Sequence, residues 1–505
     1  MKTRLDSADL QIQYKYDGRI LCALLLGAAL WRLMFWMPYY VPGDTFNYLN
    51  GLDIFNAPLL GATIHIVRLG MVLPMAFLRW LGGDWHYFST LYALAASLGT
   101  CYFVFDLANR WAGVSAGYLA CAIIALVPME VVYGSMLVPD TPLDFYSIAA
   151  FWCLATASRE GGNRRAFYAG ALIGLAYTCK VTGLFFAPIA LLHVFWPKRE
   201  VKPAVALLVG LGAVLLAEHL ILYLLKGELH VRIIETLAFI PGDKGQFIHV
   251  EKTPLWWLGQ IWFKIGALFW GGHPPTAVLL TVVPHLVIVA LWRSLRRGLP
   301  HGAGWTLAWG GIWIGQQMLI SAIEPEPRYL QVALPYCAIL IGVTLGPVWY
   351  GWRPVWRGGT AVVACVLSFV CSSIFWLSFS HTGEVTKALA DRFEEIAPQK
   401  ESMLLGGPSE HVMRLAHYKG LTTELSPGEQ YDLTHWARIG NGYTRAIDEK
   451  KPPPQDMQLI FRFEAVTPLP IVFELLDYTP RIGLSSFAEL YIQPELVGDM
   501  ASQGL

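Results

Sequence analysis

Charged residues are scarce in this 505-residue chain. They make up 15% of the sequence, against about 25% in a typical soluble domain, while hydrophobic residues make up 55%. The sequence has no P-loop, no GxGxxG fingerprint, no internal repeat, no low-complexity tract and no basic patch suited to nucleic acid. Neither a nucleotide-binding motif nor a nucleic-acid-binding function is therefore indicated.

Cysteine patterns that would staple a fold or hold a metal are also missing. The eight cysteines lie within hydrophobic segments or at their edges, and none lies in a long loop or in the polar tail. No CxxC pair and no Cys/His ligand spacing occurs, which argues against a disulfide framework and against a thiolate metal site. We interpret the cysteines as small apolar packing residues.

Hydrophobic segments of membrane-spanning length dominate the chain instead. About 20 apolar residues cross a bilayer as a helix. The candidate spans are 19–37, 86–108, 114–134, 142–158, 166–179, 182–196, 203–225, 274–292, 303–323, 329–349 and 359–379. The sequence therefore predicts an α-helical polytopic membrane protein with about eleven transmembrane helices, and its 20 Trp and 22 Tyr match the needs of interfacial aromatic belts.

Basic residues collect on one side of the predicted membrane. They precede the first span and fill the short segments 159–165, 198–202, 293–297 and 353–357. The positive-inside rule places the N-terminus and these segments in the cytoplasm. Because the number of spans is odd, the C-terminal tail is expected outside. We expect a multi-pass plasma membrane protein, which in a bacterium means the inner membrane.

One apolar segment does not fit this alternation. Residues 66–82 contain Arg68, Pro74 and Arg79, and at 1.5 Å per residue they reach about 25 Å, less than a hydrocarbon core of about 30 Å. They are predicted to lie as a helix in the outer interface, with residues 45–57 as a shorter amphipathic partner.

The chain is predicted to form two domains. Residues 1–379 form a transmembrane domain with large outer loops at 38–85 and 227–273, the second of which carries an aromatic run typical of an interfacial element. Residues 380–505 are expected to form a small soluble extracytoplasmic α/β domain. Its sequences MLLGG, SEHVMRLAHY and MQLIFRFEAV predict a strand, a helix and a strand.

The acid Asp44 follows the first span, in the sequence VPGDTFNYL. Pro42 and Gly43 fix the chain as it leaves the span and leave space for another group to approach. A carboxylate at this position acts either as a general base toward an incoming hydroxyl or amine, or as the cap of a following helix. The two roles are compatible, and the cost of an acid at a membrane face favours chemistry at the water–lipid boundary.

A second acidic group lies in the sequence GSMLVPDTPLDFY. Asp140 and Asp144 are four residues apart, so on a helix they share one face near the outer end of the fourth span. Asp140 either caps this helix, whose first turn carries Pro142, or takes part in a site. Glu130 lies near the outer end of the third span.

Cations at the predicted outer face suit the binding of a phosphate at headgroup level. Lys180 lies between two spans in YTCKVTG, and Arg328 begins the tenth span in EPEPRYLQVALP. Snorkelling of the charged group to the interface is the alternative interpretation. Glu326 either pairs with Arg328 or contributes to substrate binding. The outer histidines show no spacing typical of a metal site.

These features, in this order, resemble the GT-C integral-membrane glycosyltransferases. The resemblance rests on the acid that begins the first outer loop, on an interfacial helix ending in LGG, and on the sequences LVPDTPLDFY, YTCKVTGLFFAPIALL and EPRYLQVALPYCAIL. It covers roughly residues 19–349 and is strongest to the branch of lipid A aminoarabinose transferases and protein O-mannosyltransferases. The family often has two adjacent acids in the first loop, whereas this chain has Asp44 alone.

The resemblance implies transfer of a sugar from a polyprenyl-phosphate donor to a lipid, glycan or protein acceptor at the outer face, usually with inversion. Asp44 matches the catalytic acid by position, and Asp140 is expected to orient the acceptor or the surroundings of Asp44. The expected site residues are Asp44, Asp140, Asp144, Arg68, Lys180, Glu326 and Arg328. No cofactor is required by these residues, and use of a divalent metal is left open. The expected partners are the donor, the acceptor and membrane lipids, without nucleic acid.

A transporter or flippase of lipid-linked or small polar substrates is the alternative function. Such a protein is expected to have paired broken helices in corresponding halves and a polar site at the membrane midplane. In this chain the charges gather at the outer ends of the spans and no repeat is visible. The enzyme hypothesis predicts that Asp44, Asp140, Lys180 and Arg328 converge on one outward cavity open to lipid.

Overall fold

The computed structural model describes most of the predicted membrane domain and the strands that follow it. The described residues are 18–36, 68–82, 87–157, 162–196, 200–226, 274–300, 302–319, 331–396, 405–406, 435–440, 458–466 and 485–492. Three predicted site residues, Asp44, Glu326 and Arg328, lie outside these ranges, as do the predicted interfacial segments 45–57 and 256–270.

The described part of the chain is mostly helical. Its helices are α1 (Gly18–Met34), α2 (Leu69–Gly82), α3 (Tyr87–Ala112), α4 (Val114–Leu126), α5 (Pro128–Tyr133), α6 (Asp140–Ala155), α7 (Gly162–Cys179), a 3₁₀ helix (Val181–Phe185), α8 (Phe186–Phe195), α9 (Val201–Lys226), α10 (Pro274–Arg297), α11 (Ala303–Leu319), α12 (Leu334–Tyr350) and α13 (Pro354–Ile396).

A helix covers most of each predicted hydrophobic span. Among the described residues, four segments are long and apolar enough to cross a membrane: Thr90–Ala112, Val201–Leu225, Gln331–Tyr350 and Pro354–Ser373. Together with the shorter apolar helices, they confirm an α-helical multi-pass membrane protein. The count of eleven spans stays a prediction.

The predicted span 114–134 differs from the structure in one respect, because it is broken at Val127 into α4 and α5. Pro128 begins α5, and proline has no backbone N–H, so it cannot donate to the carbonyl of Ile124 four residues earlier. The break turns the chain before it enters α6.

Close packing of small residues brings the helices together in the core. A Cβ added to Gly342 or Gly346 of α12 would lie 2.6–2.7 Å from atoms of Ala116 or Ala120 on α4. In the absence of a side chain, the two backbones approach closely, which is how membrane helices gain contact without a hydrophobic driving force. The buried face of α12 also packs on α3.

The helix α2 occupies the segment predicted to lie in the interface. Its 14 residues reach about 21 Å, short of a hydrocarbon core of about 30 Å. Met71 and Met75 are buried against neighbouring helices, whereas Phe77 and Trp80 are exposed. The interfacial position of α2 remains a prediction.

A four-stranded sheet follows the helices. Its strands are β1 (Leu405–Gly406), β2 (His435–Gly440), β3 (Gln458–Val466) and β4 (Ser485–Ile492), in the spatial order β1-β2-β4-β3. The first pair is parallel, and β4 pairs antiparallel with both β2 and β3. Strands β1 and β3 fall in the predicted MLLGG and MQLIFRFEAV segments. The boundary predicted at 379/380 falls within α13, which also contacts β3 and β4.

Candidate active site

The candidate site lies where α7 ends and α6 begins, and this end of the helix bundle is called the site end below. The ammonium Nζ of Lys180 lies 2.7 Å from Oδ1 of Asp140. The Asp140 side chain is 1% exposed and the Lys180 side chain 15% exposed. The structure therefore joins two predicted site residues in one largely buried ion pair.

The local backbone explains how Lys180 reaches this position. The last helical turn of α7 closes with the Lys180 N–H donating to Ala176, and Lys180 itself is extended. The 3₁₀ helix that begins at Val181 then redirects the chain. An extended residue between two helices projects its side chain across the helix ends, toward the first turn of α6.

Asp140 does not serve as the helix cap that was one of its two interpretations. The N-cap of α6 is Pro139, which makes no side-chain capping bond, and Asp140 is the first helical residue. A carboxylate in the first turn interacts favourably with the positive end of the helix dipole. The capping interpretation is thus wrong, and the carboxylate is used for the pair with Lys180.

Asp144 lies on the same face of α6 as Asp140, as the spacing predicted. It is 1% exposed, and its carboxyl interacts electrostatically with those of Asp140 and Glu130. Glu130 is fully buried in α5. Three acids from two helices are therefore gathered at the site end.

The cation that faces Glu130 is Arg32, which is fully buried near the end of α1. Its Nε donates to Ser97 Oγ at 2.8 Å, and its Nη atoms donate to the carbonyls of Ala125 at 3.5 Å and Ile124 at 3.4 Å. The Ile124 carbonyl is the one that Pro128 cannot serve. The sequence indicated only the position of Glu130 in a span and no role for Arg32. An arginine and a glutamate within hydrophobic spans were the available signal.

Two further polar residues tie α6 to its neighbours. Thr141 Oγ1 donates to the carbonyl of Tyr133, at the end of α5, at 3.1 Å. The Gln331 amide, fully buried before α12, donates to the same Thr141 hydroxyl at 3.1 Å. Neither residue was predicted from the sequence, because ordinary polar side chains carry no pattern of their own.

Arg68 lies at the same end of the bundle. It immediately precedes α2, is 9% exposed, and its carbonyl accepts the N–H groups of Met71 and Val72. Gly70 packs so closely on Cys179 that an added Cβ would lie 2.8 Å from the Cys179 backbone nitrogen, one residue before Lys180.

Carboxylates such as these are common ligands of divalent cations. Within the described ranges, no group of three His, Cys, Asp or Glu side chains has an arrangement that could hold a metal ion. Two of the three acids have a cation as neighbour, with Asp140 on Lys180 and Glu130 beside Arg32. The described residues thus do not fit a divalent metal.

Comparisons with known proteins identify the fold. The model of the dolichyl-phosphate-mannose-protein mannosyltransferase family matches residues 76–222, which include Asp140 and Lys180. The chain is similar to the solved structure of ArnT from Cupriavidus metallidurans in the apo state, with 14% identity and a TM-score of 0.55 over 94% of this chain and 98% of that one.

The structure of the same ArnT bound to undecaprenyl phosphate gives a TM-score of 0.53 at 14% identity, with the same coverage of both chains. No curated protein gives a significant match in sequence. The chain therefore has the fold of the GT-C integral-membrane glycosyltransferases, with likeness to the ArnT and O-mannosyltransferase branches, and the resemblance seen in its sequence is confirmed.

Proposed function

We propose that the protein transfers a sugar from a polyprenyl-phosphate donor to a lipid, glycan or protein acceptor at the outer face of the membrane. The observation that carries this proposal is the Lys180–Asp140 pair at the site end, in a fold shared with a structure that holds undecaprenyl phosphate. Sugar type and acceptor are not specified by these residues.

The donor phosphate is proposed to bind the Lys180 ammonium. An ammonium has three N–H donors, and one of them is directed at Asp140 in this structure. A partly buried ammonium beside a carboxylate is positioned to donate to a phosphate oxygen, and it stabilises the negative charge that builds on the leaving phosphate. Arg68 and Arg328 are proposed as further phosphate contacts.

The proposed chemistry is a displacement at the anomeric carbon. Asp44 takes the proton of the acceptor hydroxyl or amine while the acceptor atom forms its bond to that carbon. The bond from the carbon to the phosphate oxygen breaks, and the polyprenyl phosphate leaves with the electron pair on the side opposite the attack. This geometry inverts the sugar. Asp140 and Asp144 are proposed to orient the acceptor, and Glu326 to assist substrate binding.

The proposed topology has a cytoplasmic N-terminus, eleven spans and an extracytoplasmic α/β domain after residue 379. A reporter fused after Leu505 is expected outside the cell, and one inserted at Gly298, beside the basic end of α10, is expected inside. Paired reporters, one active only in the cytoplasm and one active only outside, measure this. The opposite placement would mean that α2 crosses the membrane, and the site end would then face the cytoplasm.

The function itself is tested with the purified full chain. An undecaprenyl-phosphate-linked sugar, presented from a panel of pentoses and hexoses, is incubated with a total envelope extract that supplies the acceptor. We expect acceptor-dependent release of undecaprenyl phosphate, measured by mass spectrometry. A transporter or flippase would instead move the intact lipid-linked sugar across a liposome membrane without cleaving it. Transport without cleavage for every donor in the panel would refute the enzyme.

A further inference from the structure

The buried Arg32 lies at a point where three elements of the bundle meet. Its guanidinium reaches Ser97 on α3, and its bonds to Ile124 and Ala125 lie at the break between α4 and α5. It also bonds back to the carbonyl of Ala28 in its own helix, at 3.2 Å. Arginine supplies five N–H donors in a rigid fork, which lets one side chain serve all three elements at once.

Arg32 donates hydrogen bonds to carbonyls at the end of α4, where the helix breaks. Helix ends leave carbonyls without intrahelical donors, and at the α4 end these include Ile124, opposite Pro128. The carbonyl of Leu126 accepts a bond from Ser368 of α13, whose hydroxyl also accepts from Trp31 at 3.2 Å. Two neighbouring residues of α1 therefore serve the carbonyls at the break. Arg32 donates to them directly, and Trp31 donates to the serine that bonds the Leu126 carbonyl.

The guanidinium of Arg32 also packs closely against the residue that follows α5. A Cβ added to Gly134, which follows α5, would lie 2.8 Å from Arg32 Nε and 2.8 Å from Ser97 Oγ. Gly134 also donates its N–H to the carbonyl of Glu130. The end of α5 is thus packed directly on Arg32, so we expect a displacement of the guanidinium toward α5 to shift the helix that carries Glu130.

From Glu130 the contacts continue to the proposed donor site. The Glu130 carboxyl interacts electrostatically with the Arg32 guanidinium and with Asp144, which lies one helical turn after Asp140. In parallel, Thr141 bonds the end of α5 to the first turn of α6. Both routes lead to the first turns of α6, whose first residue, Asp140, pairs with Lys180.

We propose that Arg32 is a positioning residue for the Lys180–Asp140 pair, acting through the α4–α5 break and Glu130. The catalytic consequence of this inference rests on the proposed function. The structural coupling between Arg32 and the Lys180–Asp140 pair does not depend on it. The positive charge of Arg32 and its N–H groups then have separate roles. The charge interacts with Glu130, and the N–H groups bond the carbonyls at the α4–α5 break.

The test uses four variants of the full chain in detergent micelles: Arg32→Lys, Arg32→Met, Glu130→Gln and the double variant Arg32→Met/Glu130→Gln. The first readout is the rate at which an amine-reactive reagent acylates Lys180, followed by mass spectrometry of its peptide. We expect faster acylation in Arg32→Met than in the natural protein, and a double-variant effect that departs from the product of the single effects by roughly 2- to 150-fold. Arg164→Met, an exposed arginine, is the matched control and should leave the rate unchanged.

The second readout is donor kinetics. We expect Arg32→Lys to keep the fold and raise KM for the donor more than it lowers kcat, because the charge remains while the fork is lost. If Arg32→Met does not fold, Arg32→Lys and Glu130→Gln are close enough in shape to carry the test. Unchanged Lys180 acylation in both would overturn the inference.

The two readouts separate the inference from the proposed function. Acylation of Lys180 needs no donor, so a chain that shows the coupling but cleaves no lipid-linked sugar would sink the proposed function and leave the positioning role standing. If the chain transfers sugar but substitutions at Arg32 and Glu130 leave the acylation rate of Lys180 unchanged, the positioning role is refuted and the proposed function stands.

Discussion

Lys180→Gln is expected to lower kcat/KM for the lipid-linked donor by about 10- to 150-fold. Hydrogen bonds to charged groups contribute about 1.5–3 kcal/mol, and each 1.36 kcal/mol is tenfold in rate. Glutamine removes the charge that would meet the phosphate, yet its amide can still donate to the Asp140 carboxylate. The folded protein should therefore survive, which a melting curve checks, while steady-state kinetics with varied donor shows the loss.

Lys202→Gln is the matched control for this change. Lys202 is an exposed lysine at the start of α9, and α9 begins at the end of the bundle opposite the site end. It should leave donor kinetics within the error of the assay. Wild-type kcat/KM in Lys180→Gln would mean that Lys180 is a snorkelling or structural cation, the alternative that its sequence left open.

Asp44→Asn is expected to reduce turnover by about 10²- to 10⁴-fold, the range that general-base catalysis typically contributes. Asparagine has nearly the same shape and remains a good helix cap, so stability should change little. It cannot accept the acceptor's proton. Initial rates at saturating donor and acceptor measure the effect, because the loss should appear in kcat rather than in KM for the donor.

Asp53→Asn provides a control within the same predicted outer loop. It removes one carboxylate from that loop without touching the proposed base, so turnover should stay near the natural value. Turnover of Asp44→Asn within about threefold of the natural protein, where a base should give at least 10², would end the general-base assignment and favour the capping interpretation.

The helices were predictable because their signal is local. Hydropathy over about 20 residues places each span, and a spacing of four places Asp140 and Asp144 on one face. Pro128 was visible in the sequence as well, but its effect was not predicted. The apolar run continues through Pro128, and the carbonyl left without a partner at the break is bonded by a donor from another helix.

The partners within the site were not predictable, because contacts between distant parts of the chain leave no local signal in the sequence. Lys180 and Asp140 are 40 positions apart, and Arg32 and Ile124 are 92 apart, so no spacing rule connects them. Both members of the first pair were predicted as site residues, but with separate roles. No role was predicted for Arg32, because an arginine near a span end is ordinarily a snorkelling residue.

The strands show the same limit. Strand β3 was predicted from its own apolar, β-branched and aromatic residues, whereas β4 was not, although it pairs with both β2 and β3. A central strand owes its place to its neighbours more than to its own propensity. The predicted helix between β1 and β2 lies outside the described residues.

The most direct measurement of the central claim is the affinity of purified protein for undecaprenyl phosphate, compared among the natural chain, Lys180→Gln and Asp140→Asn. Tryptophan fluorescence or native mass spectrometry reports binding without any acceptor. Binding should weaken by about 10- to 150-fold in Lys180→Gln. In Asp140→Asn it should weaken by less than in Lys180→Gln, because the ammonium keeps its charge and the asparagine amide oxygen can still accept its hydrogen bond. Equal losses in both variants, or none in Lys180→Gln, would contradict a phosphate site at this pair.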